Sequence, residues 1–112
     1  MDTDIRIGDL SNRDVSQLST QFASQRIVFQ REDEAQTEDE SHELGLSAVI
    51  IAATPPAIAA VAAWLASKDR AVSLEISVLG VMRLKLTVEP RTKSPKRIEA
   101  EVASAVAAAR KK

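Results

Sequence analysis

The sequence predicts an α+β fold, a four-stranded mixed sheet with helices packed on it in the order β-α-β-α-α-β-β-α, and three observations carry that prediction. Val72, Leu74, Ile76 and Val78 alternate with polar residues, as do Met82, Leu84, Leu86 and Val88, which is the period of two half-buried strands. Ser94-Pro95 opens a stripe of Ile98, Val102, Val106 and Ala109 at helical spacing. Thr54-Pro55-Pro56 interrupts an uncharged run with a helix cap and the residue favoured in a first turn. At 112 residues the chain fits one domain over 1–112 with one modest core.

Taken in order, Ile5 and Ile7 alternate with Asp4 and Arg6 as a short strand closed by Gly8-Asp9. Ser11 with Asp14 resembles a capping box, and Val15, Leu18 and Phe22 give a helix over about 12–23. Residues 26–30, with Ile27, Val28 and Phe29, read as a second strand, and the strand, helix, strand order favours a parallel crossover. Residues 31–43 hold seven carboxylates and almost nothing apolar, which reads as a mobile acidic loop. Two helices follow, over 44–53 with Leu46, Val49, Ile50 and Ala53 on one face, and over 55–67 with Ile58, Val61, Ala62 and Leu65 aligned.

Register in the hairpin follows from polarity. A two-residue turn at Leu79-Gly80 pairs Ile76 with Arg83 and sets apolar against polar along the whole ladder. An odd loop, Leu79-Gly80-Val81, pairs Ile76 with Leu84, Leu74 with Leu86 and Val72 with Val88, and brings Glu75 to Lys85, Ser73 to Thr87 and Ser77 to Arg83 on the wet face. That polar face is either a docking surface or partly covered by the first helix.

Composition narrows function by exclusion. Without cysteine there is no disulfide framework, thiol nucleophile or thiolate zinc site. Fifteen basic and sixteen acidic residues leave a formal net charge of −1, and Phe22, Phe29 and Trp64 are the sole aromatics, so neither phosphate attraction nor base stacking favours nucleic acid. The start, Met1-Asp2-Thr3-Asp4, is unlike a secretory signal, and the chain is expected in the cytoplasm. The uncharged residues 44–67 number 24, enough to reach the ~20 that span a bilayer, and a membrane-associated small protein is therefore the alternative reading. The prolines at its centre divide it into halves too short to cross, so membrane association is disfavoured.

Catalytic chemistry finds no footing in the residue pattern. His42 is the one histidine and lies in the acidic loop between Ser41 and Glu43, without the partners a metal or acid–base role needs. The carboxylates of 31–43 lack the alternation and central glycine of a calcium loop, and no glycine-rich turn precedes a helix to hold phosphate. No catalytic residue, cofactor or metal is expected. The candidates that remain are for protein binding: acidic Glu38, Asp39 and Glu40, basic Arg83 and Lys85, and Trp64 as an aromatic anchor. Separated acidic and basic regions also allow a homo-oligomer.

From Gly45 onward the chain resembles the effector-associated constant component family, small proteins or domains encoded in bacterial conflict systems beside effectors such as peptidases and beside NTP-dependent regulators. The resemblance rests on the apolar run 45–53, a break, an alanine-rich helix ending in Ala62-Ala63-Trp64-Leu65, the charged turn Lys68-Asp69-Arg70, the hairpin 72–88 around Gly80, and a last helix. Here the break is Thr54-Pro55-Pro56 where that family has glycine and serine, the hairpin turn is shorter, and the acidic loop has no counterpart. The resemblance implies a non-enzymatic adaptor or regulator in antiviral defence, bound to an effector or regulator protein, with no catalytic residue to carry over.

Overall fold

The computed structural model describes residues 3–33 and 47–111. Strand β1 (Thr3–Leu10) leads to helix α1 (Asn12–Ser24), then strands β2 (Phe29–Asp33) and β3 (Ser47–Ala52), helix α2 (Pro55–Ala66), strands β4 (Val72–Val78) and β5 (Val81–Val88), a short 3-10 turn at Pro90–Thr92, and helix α3 (Pro95–Arg110). The strands form one five-stranded sheet in the order β2-β3-β1-β4-β5, and all four neighbouring pairs are antiparallel.

This corrects the expected sheet in strand number and in direction. The segment expected as a helix over 44–53 contains β3, whose six residues place Val49 and Ile51 in the core while Ala48, Ile50 and Ala52 take the other face. Three consecutive β-branched residues in so short a run suit a strand, and periodicity cannot separate a short buried strand from a buried helix. β3 lies between β1 and β2 and pairs with both. Those two strands therefore run in the same direction, as the crossover requires, but are not neighbours.

Other boundaries shift for local reasons. Arg26 takes a left-handed backbone conformation (φ 58°) as the chain leaves α1, so β2 starts at Phe29 instead of 26 and runs through Arg31, Glu32 and Asp33, three residues expected in the loop. The rest of that loop, 34–43, lies outside the described residues. Gly8-Asp9 does not close β1: register slips between Ile7 and Leu10, with Asp9 at φ 56°, and the strand continues through the irregularity.

Helix starts follow their caps. Ser11 Oγ accepts from the Asp14 N–H and the Asp14 carboxylate accepts from the Ser11 N–H, while Thr54 and Ser94 cap α2 and α3 ahead of proline. All three helices bury one side in a single core with the inward residues of the sheet: Val15, Leu18 and Phe22 from α1, Val61 and Leu65 from α2, and Ile98, Val102 and Val106 from α3. The opposite face of the sheet is open, as an antiparallel sheet permits. Helix α2, with 12 residues, is central to this core, and among the described residues no helix is long and apolar enough to cross a membrane.

The hairpin keeps the expected pairing from Val72–Val88 to Ile76–Leu84, including Glu75 with Lys85, but it turns differently. The turn has two residues: Ser77 faces Met82, Val78 faces Val81, and the odd residue is absorbed as a bulge at Arg83. Leu79 and Gly80 both have positive φ, 53° and 81°, the arrangement whose twist matches a two-residue hairpin. The bulge then restores the apolar register that such a turn would otherwise invert.

Candidate functional site

The turn that fixes the hairpin also exposes it. Leu79 is 75% exposed and Val81 and Met82 are 54% exposed, so three large apolar side chains surround Gly80 at one end of the sheet. Turn chemistry favours asparagine, aspartate or glycine at the first of the two central positions, because a Cβ in the left-handed region costs about 1–2 kcal/mol. Leucine there is both strained and in water. Two local rules are broken at one place, which is what a residue kept for binding looks like.

Behind the tip, β5 is an edge of the sheet. Leu84 and Leu86 on its helix-facing side are half-buried and pack against the margin of the core, whereas Arg83, Lys85 and Thr87 are exposed. Glu75, opposite Lys85, instead accepts from Arg6 Nη1 at 3.4 Å. Arg6 also donates through Nε to Glu32 Oε1 at 3.2 Å, so one cation at the centre of the open face is shared by two carboxylates. Arg83 and Lys85 have no acidic partner among the described residues.

A denser charge cluster joins α1 to the turn after α2, and it is structural. The Asp14 carboxylate accepts from Lys68 Nζ at 3.0 Å and from Arg70 Nη2 at 2.6 Å while completing the Ser11 cap. Burial pushes its carboxyl upward. The Lys68 hydrogen bond, the Ser11 N–H and the charges of Arg70 and Lys68 outweigh that and hold it below the ordinary value. Lys68 Nζ also lies 5.0 Å from the centre of the Trp64 ring, and Trp64 Nε1 donates to Gln17 Oε1. The charges of this cluster are thus paired with one another.

The sequence candidates divide accordingly. Arg83 and Lys85 stand on the exposed edge. Trp64 is 3% exposed and belongs to the core, so its ring offers no surface to a partner. Glu38, Asp39 and Glu40 lie outside the described residues, as does His42. Near the start of α3, Lys93 and Arg97 meet Glu101 at 2.9 and 3.8 Å as a helix-surface network. Among the described residues no three acidic or histidine side chains gather as metal ligands. The sequence reading missed Leu79, Val81 and Met82 as a site. The available signal was a Leu-Gly turn flanked by apolar residues where polar ones are the rule.

The molecule defined by these features is an open-faced α+β sandwich with an apolar hairpin tip and a basic edge strand. Compared with known proteins, the chain matches no family model, no curated protein and no solved structure.

Proposed function

We propose that this chain is a non-enzymatic, protein-binding adaptor or regulatory component of a bacterial conflict system, acting in the cytoplasm on an effector or regulator protein through the β4–β5 hairpin. The observation that supports the reading best is the tip itself: Leu79, strained and 75% exposed, beside half-exposed Val81 and Met82. Exposed apolar residues cost solubility, and clusters of them mark interaction sites. The resemblance from Gly45 onward supplies the biological setting, on the alanine-rich helix, charged turn, hairpin and last helix; its apolar run 45–53 contributes a strand here, not a helix.

Affinity purification of the chain co-expressed with its genomic neighbours tests this. The wild type is expected to recover one neighbouring effector or regulator in stoichiometric amount, and the V81T/M82T variant to lose at least about tenfold of it, the effect of removing two partly buried apolar contacts. Absence of any such partner, or equal recovery by the variant, would contradict the proposal.

A further inference from the structure

We infer that the occupant of the hairpin site is an extended segment of a different protein, with acidic side chains at every second position and apolar ones between, that adds to β5 as a sixth strand. This rests on the protein-binding reading above and names the chemistry of the partner.

An edge strand presents a row of backbone donors and acceptors, and proteins commonly block it with lysine, a bulge or inward-pointing charge. β5 carries two of these devices, Lys85 and the bulge at Arg83, and their positions decide which strands are refused. A second copy pairing antiparallel about Leu84 sets Arg83 against Lys85, and pairing about Lys85 sets that lysine against itself. Like charges directly opposite are destabilising, so these two registers, the ones centred on the basic pair, are closed to a second copy. A strand with carboxylates opposite Arg83 and Lys85 meets no such barrier and neutralises two cations that nothing in the described fold neutralises.

The other face of the incoming strand is specified as well. Residues opposite Leu84 and Leu86 would lie on the helix side, where these leucines are only half-buried at the margin of the core. Apolar side chains there extend the core outward, and the exposed Val81, opposite Val78 on the same face, continues that contact toward the tip, while Met82 stands opposite Ser77 on the open face. Backbone pairing supplies affinity and the alternate side chains supply selection, the division of labour found wherever a peptide joins a sheet edge. Glu89, just past the end of β5, marks where acidic character in the partner must stop.

The probe is a fluorescein-labelled peptide alternating glutamate and valine, eight residues long to match β5. Anisotropy at low salt is expected to show binding by the wild type, weaker at high salt, and amide shift changes in NMR should map to 84–88. R83E/K85E is expected to lose about tenfold or more in affinity and to bind the lysine–valine peptide instead, whereas R83K/K85R keeps the original preference. Circular dichroism verifies that the variants stay folded. No binding up to millimolar peptide, equal binding by R83E/K85E, or shifts confined to other strands would overturn the inference, as would a dimer joined through β5. If neighbour capture persists while the peptide fails, the partner chemistry is wrong and the protein-binding reading stands; if the peptide binds and capture fails, it is the conflict-system role that falls.

Discussion

Ile51→Glu is expected to unfold the protein, and Ile50→Glu, one residue earlier, to leave it within about 1 kcal/mol of the wild type. Ile51 is 2% exposed and stands between Ile5 of β1 and Phe29 of β2 on the core side of β3. A carboxylate there is buried without a partner, at a cost of several kcal/mol beyond the lost packing. Ile50 is half-buried on the open face, directly opposite Arg6, where a glutamate side chain can still reach water. A helix over 44–53 would reverse the order, because Ile50 then lies on the packed face with Val49. Urea denaturation of both variants decides between them.

The second large effect belongs to Asp14. Replacing it with alanine removes the side-chain half of the capping box at Ser11 and strands Lys68, whose side chain is 13% exposed; Arg70, at 44%, can turn to water. The loss is expected to be about 2–4 kcal/mol, below that of a fully buried pair and above that of a cap alone. The pH dependence has a definite sign. Because the folded carboxyl titrates below its unfolded value, its stabilisation is fully present above about pH 4 and disappears as pH falls through the folded pKa. The stability difference between wild type and Asp14→Asn should therefore be constant near neutrality and shrink in acid. A difference that grows below pH 4 would mean that the pairing with Lys68 and Arg70 does not form in solution.

The parts of the fold that were legible in the sequence are those where one signal had no competitor. Ser11 with Asp14, Thr54-Pro55 and Ser94-Pro95 set helix starts by local hydrogen bonding, and those starts are found. Five hairpin pairs follow from polarity alone, since a slip buries Lys85. β3 was not legible. Its run of Val49, Ile50 and Ile51 is apolar on both faces, so the helix and strand periods fit equally, and what distinguishes them is pairing with β1 on one side and β2 on the other, long-range contacts that no window of sequence contains. Trp64 shows the same limit at the site: an aromatic at a helix end can anchor a partner or fill a core, and only the position of Gln17 and Lys68 tells which. The tip was hidden for the opposite reason. Assigning Val81 to an odd loop satisfied the register, and the equivalent solution, a tight turn with a bulge two residues later, is the one that forces Leu79 into the left-handed region.

The central claim is that Leu79 is retained at the turn for binding and against stability, and one paired measurement on Leu79→Asn addresses it. Asparagine tolerates the left-handed conformation, so the account predicts a gain of about 1 kcal/mol in denaturant unfolding together with weaker recovery of the co-purifying partner. A variant that gains no stability, or that gains it and still recovers the partner as well as the wild type does, would contradict the claim.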